Sequence, residues 1–233
     1  MTAIEPKISS DRAQARPPAS SDAPRVPLPR PQSLYADVFK RPLDLALVVL
    51  ALPAVIPLVA LLALLVALDG HGPFYRQKRV GRDGRLFDLW KLRSMVPDAE
   101  AALERHLDAD PAARQEWHHH QKLRHDPRVT RIGQLLRATS LDELPQLWNV
   151  LKGDMSLVGP RPMMPCQQPL YPGSAYYRLR PGITGFWQIS SRNESAFVER
   201  AQFDTLYGRK VSLATDLRVL LSTVRVVLSR TGC

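Results

Sequence analysis

The chain has 233 residues, of which 45% are hydrophobic, and its 32 Lys and Arg against 22 Asp and Glu give a formal net charge of +10. That charge indicates an anionic partner: nucleic acid, an anionic membrane or a phosphorylated substrate. The two cysteines, Cys166 and Cys233, have neither a metal-ligand spacing nor a disulfide framework, which excludes a disulfide scaffold and a cysteine-based metal centre.

The first 33 residues are rich in Pro, Ala, Ser and Arg and show no apolar periodicity. A segment of this composition buries too little apolar surface to offset the entropy that is lost when a chain becomes ordered. We therefore predict a disordered tail over residues 1–33. The length of the remainder is that of a single domain with an additional anchor.

An uncharged run of 24 residues occupies positions 45–68. Its length is typical of a membrane-spanning helix, but Pro53 and Pro57 interrupt it near the middle and remove two backbone N–H donors. An ordinary kinked span remains an alternative. Basic residues lie on both flanks, and because such residues prefer the cytoplasmic side, we predict that residues 34–69 form a re-entrant helix-hairpin.

A strongly basic segment follows the apolar run. The Asp-Gly pair at positions 83–84 is a hairpin-turn signal between two strand-like runs at residues 74–80 and 86–89. Basic residues beside a membrane often bind only anionic lipid, and this explains part of the cluster. Lys91 and Arg93 lie farther from the anchor and are better suited to a substrate phosphate.

The remaining elements are mostly helical. Residues 97–124 have helical character, and the three histidines at positions 118–120 point in different directions on a helix, which favours a polar face over a metal site. Residues 183–189 are predicted to form a short strand with a buried Trp187. A final helix begins near Ser212, and its leucine stripe fits either a core helix or one in the membrane interface.

The stretch SLDELPQLWNVLKGDMSLVGPRP, residues 140–162, carries the strongest chemical signals. Because proline favours the first turn of a helix, one should begin near Pro145, which leaves Asp142 and Glu143 at its positive N-terminus. Two prolines restrict the backbone around Arg161 and pre-order its fork of donors for phosphate oxygens. The residues alone leave an alternative open, because the first four positions also fit a helix capping box.

Taken together, these blocks resemble the bacterial sugar transferases, specifically the monotopic polyprenyl-phosphate hexose-1-phosphate transferases of the exopolysaccharide-initiating type. The resemblance is carried by KR..D, GPFYRQKRVG, KLRSM, DPRVTRIG, SLDELPQLWNVLKGDMSLVGPRP and RPGITGFWQIS. So many ordered blocks make the signal specific. Three positions depart from the pattern: Ile56 replaces a frequent serine, Leu92 the usual phenylalanine, and Ser191 a common glycine.

The resemblance implies an α+β, mostly helical fold with the re-entrant membrane helix-hairpin at its N-terminus. Residues 70–233 would form a small cytoplasmic catalytic domain with a short β-hairpin and amphipathic interfacial helices. The protein would lie at the cytoplasmic face of the bacterial inner membrane. Its partners would be a UDP-hexose, undecaprenyl phosphate and membrane lipid but not nucleic acid, and the resemblance leaves a homodimer open.

The implied reaction transfers hexose-1-phosphate from a UDP-sugar, glucose or galactose by preference, to undecaprenyl phosphate with release of UMP. Asp142 would attack the sugar-linked phosphorus as a nucleophile and form an aspartyl-phosphosugar. Glu143 would position Asp142 or a Mg²⁺ ion, and Asp142 would also bind that ion.

The resemblance also implies the residues that bind substrate. Lys91, Arg93 and Arg161 would neutralise charge on the transferred and leaving phosphates. Asp216 matches a family acid near the site, although pairing or capping on the last helix explains it almost as well. Two rivals fit parts of the sequence: a non-enzymatic binder of nucleic acid or anionic lipid, and a phosphohydrolase that uses water as acceptor.

Overall fold

A computed structural model describes residues 33–120, 123, 126–190 and 197–228, without the side chains of 118–120, 227 and 228. The predicted tail lies outside the described residues except for Ser33. The side chains of the three consecutive histidines and Ser191 also lie outside them, so the interpretations that concern these positions stay predictions.

The longest element is helix α1, Lys40–Ala67, which the chain enters through a π-helical turn at Tyr35–Phe39. Pro53 and Pro57 lie inside α1, and the helix continues past both. A proline φ angle is compatible with a helix, so the missing N–H groups weaken the helix without ending it. The predicted separation into two halves is therefore not seen in the secondary structure, and the re-entrant course stays a prediction.

The surface of α1 is largely apolar and exposed. Within the described part of the chain, the segment Tyr35–Ala67 is the one helix long and apolar enough to cross a membrane, and 11% of its most apolar stretch is buried. Leu50 and Leu64, for example, are 79% and 63% exposed. So much exposed apolar surface favours an apolar environment around the helix.

An antiparallel hairpin follows α1. Strand β1, Phe74–Val80, pairs with β2, Leu86–Leu92, through a turn at Arg82–Gly84. The positive φ angles of 58° at Asp83 and 76° at Gly84 agree with the predicted turn signal. Strand β2 is three residues longer than predicted, so Lys91 is a strand residue.

The rest of the chain is mostly helical, as predicted. The helices are α2 (Ala99–Ala109), α3 (Pro111–His120), α4 (Arg131–Thr139), α5 (Gln146–Lys152), α6 (Phe186–Ser190), α7 (Arg200–Lys210) and α8 (Leu213–Leu228). Helix α8 starts where the sequence predicts. Its inner side contributes the buried Val219, whereas Leu217 and Leu221 are exposed, so α8 combines a core edge with an apolar outer stripe.

A second, parallel sheet pairs β3, Ser156–Val158, with β4, Gly182–Thr184. The prediction of a strand over residues 183–189 is wrong, because the strand ends at Thr184 and α6 follows. A side chain on Gly185 would lie 2.1 Å from the carbonyl oxygen of Gly159, so the backbones approach closely at the point where the chain turns. Periodicity in such a short apolar run cannot separate strand from helix. Trp187 is buried, as predicted.

Both ends of α1 pack against the rest of the chain. Val48 belongs to a hydrophobic cluster around β2 and α5, whose other buried members are Phe87, Leu89, Val150 and Met155. Leu62 and Val66 belong to a second cluster near α4, together with the buried Leu92 and Leu136. Near the start of α1, Arg41 donates to the carbonyl of Val150 at 2.6 Å. Helix α1 is therefore part of the folded unit.

Candidate active site

A cavity of about 1180 Å³ opens where the end of β2, the turn before α5, the start of α2 and the helix α6 meet. Five of the predicted site residues line it: Lys91, Arg93, Asp142, Glu143 and Arg161. Asp216 is not among the lining residues. The volume is sufficient for a nucleotide-sized ligand, since small-molecule pockets usually enclose about 300–1,000 Å³.

The two acids lie in a 3₁₀ turn, Leu141–Glu143, between α4 and α5. Pro145 caps the N-terminus of α5, so the predicted helix start is confirmed. The capping-box alternative is wrong, because Ser140 makes no side-chain cap hydrogen bond and instead ends α4 in the left-handed conformation at φ 57°. Asp142 and Glu143 are thus not used as helix caps.

Lys91 bridges the acidic pair. Its Nζ lies 2.8 Å from Glu143 Oε1 and 3.5 Å from Asp142 Oδ2. The sequence predicted this lysine as a ligand for phosphate, and the structure places it as the counter-charge of the two carboxylates. A phosphate that enters between them would meet the same ammonium group.

Asp142 is a buried carboxyl with an exposed fraction of 7%. Burial raises the pKa of Asp142, and the neighbouring Glu143 charge raises it further, whereas Lys91 and Arg137 lower it. A desolvated carboxylate held beside cations has lost part of the water shell that weakens a nucleophile. The environment is therefore suited to an attack by Asp142.

Two positioning residues were not found from the sequence. Arg137 donates from Nε to Ser94 Oγ at 2.9 Å and lines the cavity. Asn149 is fully buried; it accepts from the N–H of Trp90 at 3.1 Å and donates to the carbonyl of Asp88 at 2.7 Å. Asn149 thereby fixes α5 against β2, and with them the acids against Lys91. In the sequence, the polar Asn149 within the apolar run LWNVLK could have indicated this role.

Arg161 lies in a tightly bonded loop. The carbonyl of Pro160 accepts from Gly182 N at 2.8 Å, and that of Pro162 accepts from Arg79 Nη1 at 3.4 Å. The guanidinium of Arg161 lies 5.4 Å from the centroid of Trp187. Its backbone is restricted, as the prolines predicted, and its exposed side chain faces the cavity.

Arg93 lines the cavity, but most of its donors are already used. It binds both carboxylate oxygens of Asp69 at 2.6 and 2.7 Å, the carbonyl of Gly72 at 2.7 Å and that of Val66 at 3.2 Å. These bonds hold the end of α1. The predicted contact between Arg93 and substrate stays a prediction without support from this geometry.

For Asp216, the sequence left open a place near the site or pairing with other side chains, and the structure shows pairing. Its Oδ2 accepts from Tyr35 and Lys40, both at 2.7 Å, and its Oδ1 accepts from the hydroxyl of Tyr207 at 2.8 Å. The carboxylate is almost fully buried among these partners. Asp216 therefore links α8 to the start of α1 and does not line the cavity of the acidic pair.

The donor set at the acidic pair fits Mg²⁺ without forming a complete cage. Within the described ranges there is no group of three or more His, Cys, Asp or Glu that could hold a metal ion. Mg²⁺ usually binds one or two carboxylates and completes its shell with substrate phosphates and water. Asp142 and Glu143 can supply the carboxylates, and a diphosphate substrate can supply the rest.

The chain is similar in sequence to known proteins. The sequence model of the bacterial sugar transferase family matches residues 35–230. A UDP-galactose-lipid carrier transferase of Erwinia amylovora is 46% identical over 195 residues, which cover 83% of this chain and 41% of the relative. The chain therefore spans less than half of that relative.

Two relatives are closer in length. The exopolysaccharide production protein ExoY of Sinorhizobium fredii is 44% identical over 197 residues, 83% of this chain and 87% of the relative. A UDP-glucose:undecaprenyl-phosphate glucose-1-phosphate transferase of Caulobacter vibrioides is 39% identical over 217 residues, 88% of this chain and 74% of the relative.

Proposed function

The chain belongs to the bacterial sugar transferase family, and from that membership we propose that it transfers hexose-1-phosphate from a UDP-hexose to undecaprenyl phosphate. The reaction would release UMP and start the assembly of an exopolysaccharide. One observation carries the proposal: Asp142 lies buried beside Glu143 and Lys91, in a cavity whose wall also presents Arg161.

The chemistry divides into two displacements at one phosphorus atom. A carboxylate oxygen of Asp142 attacks the sugar-linked phosphorus, the bond to the UMP oxygen breaks, and UMP leaves with the electron pair. A phosphate oxygen of the lipid then attacks the same phosphorus. The bond to Asp142 breaks, and its carboxylate is regenerated as the sugar diphosphate lipid departs.

The neighbouring side chains support both displacements. Lys91 holds Glu143 beside Asp142 and keeps a positive charge next to the attacked phosphate. Arg161 also lines the cavity, and its guanidinium could neutralise the charge that develops on the leaving phosphate. Asp142 and Glu143 would hold Mg²⁺, which would offset the negative charge of the diphosphate.

The names of the relatives support glucose or galactose as the transferred sugar. The Erwinia relative is named for UDP-galactose and the Caulobacter relative for UDP-glucose. Both names also specify a lipid acceptor, undecaprenyl phosphate in the second case.

A release assay tests the proposal. The purified full chain, in detergent with Mg²⁺, is incubated with UDP-glucose, UDP-galactose and UDP-N-acetylglucosamine, each with and without undecaprenyl phosphate. We expect multiple turnovers of UMP with glucose or galactose, only when the lipid phosphate is present. Sustained turnover without lipid would instead indicate a phosphohydrolase, and no UMP with any sugar would contradict the proposal.

The anchor is proposed to enter and leave the membrane on the cytoplasmic side. Residues 43–52 and 58–68 would each be about 15 Å long, half of a hydrocarbon core of about 30 Å. A proline bend can redirect a helix that stays continuous. The contacts at both ends of α1 support this course, because Arg41 binds the carbonyl of Val150 and Arg93 binds that of Val66.

Single cysteines are predicted to resist labelling at both ends of the anchor. Asp37→Cys and His71→Cys, each in a background without Cys166 and Cys233, place a thiol at exposed positions before and after α1. Neither should react with a membrane-impermeant thiol reagent in intact cells, and both should react after lysis. Labelling of the Asp37→Cys variant alone in intact cells would indicate a full span.

A further inference from the structure

Three guanidinium groups lie close enough to act on one another electrostatically, and one of them, Arg161, lines the cavity together with Trp187. Arg200, the first residue of α7, lies 4.1 Å from the centroid of the indole, and Arg161 lies 5.4 Å from the same centroid. Arg79 on β1 donates to the carbonyl of Pro162, the residue after Arg161. We call Arg79, Arg161 and Arg200 the guanidinium cluster.

The guanidinium cluster has no matching negative charge in the part of the chain that the structure describes. None of its three members forms an ion pair there, although ten such pairs occur elsewhere. The Nε atoms of Arg79 and Arg200 are buried and have no hydrogen-bond partner among the described residues. Buried donors of this kind are costly, and charged ones more so, unless a ligand completes them.

Together with burial, repulsion between the positive charges of the guanidinium cluster lowers the pKa of Arg79 and of Arg200. Burial, then the charge of Arg161, lower the pKa of Arg200 to about 10, and the same two causes lower the pKa of Arg79. Arg200 still remains protonated at neutral pH. The protein therefore holds three like charges together, which is a typical arrangement for the recognition of an anion.

Two described acids act on the charges of Arg79 and Arg200, and they neutralise them only in part. Asp204 accepts a hydrogen bond from Tyr171 at 2.8 Å, and burial raises the pKa of Asp204 to about 7, so that its charge near neutral pH is partial. Glu143 acts on Arg79 from farther away and is itself bound by Lys91. A positive excess therefore remains beside Trp187.

We propose that the guanidinium cluster binds a phosphate group of a substrate, with Arg79 and Arg200 as binding residues in addition to Arg161. Guanidinium forks match phosphate oxygens in pairs, and stacking on Trp187 holds two of the forks in place. Arg161 and Trp187 also line the cavity that contains Asp142, so the bound phosphate would lie on the wall of the same cavity.

The identity of the phosphate rests on the proposed function, which brings two candidates to this cavity. One is the nucleotide phosphate of the UDP-sugar, and the other is the phosphate of the polyprenyl acceptor. Both present the same non-bridging oxygens, so the geometry of the cluster fits either, and binding measurements can separate them without any turnover.

The test compares Arg200→Gln and Arg200→Lys with Arg209→Gln in the full chain in detergent. Arg209 is an exposed arginine on the same helix and serves as the matched control. Equilibrium dissociation constants are measured for UDP, and separately for undecaprenyl phosphate with undecaprenol as its uncharged control. Melting temperatures without ligand verify that each variant is folded.

We expect Arg200→Gln to weaken binding of one of the two phosphates by about 10- to 100-fold, the range for a lost charge-assisted contact. Arg200→Lys keeps the charge without the fork and should lie between, and Arg209→Gln should match the unmodified protein. If Arg200→Gln is unfolded, Arg200→Lys and Arg79→Lys carry the test.

Each outcome is decisive. Weaker UDP binding assigns the cluster to the nucleotide, and weaker undecaprenyl phosphate binding assigns it to the acceptor. Unchanged binding of both ligands in folded variants overturns the proposal. If the unmodified protein binds UDP but never releases UMP from a UDP-sugar, the proposed function fails while the binding comparison still decides the role of the cluster.

Discussion

Asp142→Asn is expected to reduce UMP release to background, a loss of at least about 10⁴-fold, because an amide oxygen is not a competent nucleophile. The substitution keeps the size of the side chain, so the buried turn at Leu141–Glu143 should stay folded. The measurement is UMP release with the best UDP-hexose and undecaprenyl phosphate. Asp108→Asn, the same change at a 73% exposed side chain on α2, should keep full activity.

A trapping experiment shows whether the lost step is the formation of the covalent intermediate. With a UDP-sugar radiolabelled in the hexose and no lipid acceptor, the unmodified protein should retain label after denaturation, and Asp142→Asn should not. Near-normal UMP release by a folded Asp142→Asn variant would exclude the covalent intermediate that involves this residue.

Lys91→Gln is expected to lower kcat/KM by about 10²- to 10³-fold. Lys91 is the cation within ion-pair distance of both Asp142 and Glu143, and its removal leaves two adjacent carboxylates without that counter-charge. Removal of one group that stabilises charge in a transition state typically costs about 10²- to 10³-fold in rate. Lys78→Gln on β1, where Lys78 pairs with the exposed Asp88 at 3.0 Å, provides the control and should have little effect.

Lys91→Gln is also expected to change the pH dependence of kcat/KM. Lys91 lowers the pKa of Asp142, so its removal raises that pKa, and the ionised nucleophile then requires a higher pH. The acidic limb of kcat/KM should therefore move to higher pH in Lys91→Gln and return part of the way in Lys91→Arg. An equal loss of activity at every pH would mean that Lys91 does not control the ionisation of Asp142.

Local chemistry made much of this fold predictable. The Asp-Gly pair placed the hairpin, and Pro145 placed the start of α5 behind the acids, because both residue types act on their own backbone. The strand predicted over residues 183–189 failed because the close approach of Gly185 to Gly159, a contact between distant segments, ends β4 early.

The contacts of charged side chains were less predictable. Lys91 and Arg93 were both interpreted as phosphate ligands, yet Lys91 binds Glu143, 52 residues away, and Arg93 binds Asp69, 24 residues away. Arg79 was noted only as part of the basic segment and Arg200 was not singled out, since only the folded chain brings them to the same loop and indole as Arg161. Composition reports how many charges exist, and tertiary packing decides which remain unpaired.

The contacts that Lys40, Arg41 and Asp44 of α1 make with later parts of the chain also have a consequence for biosynthesis. Lys40 is translated 176 residues before its partner Asp216. At bacterial elongation rates of about 5–20 residues per second, that interval is roughly 10–35 s. Likewise, Arg41 and Asp44 form their hydrogen bonds only after Val150 and Ser156, 109 and 112 residues downstream, have been translated. During that interval these polar groups of α1 must therefore stay hydrated, and the attachment of α1 to the other elements completes only after Asp216 has been translated.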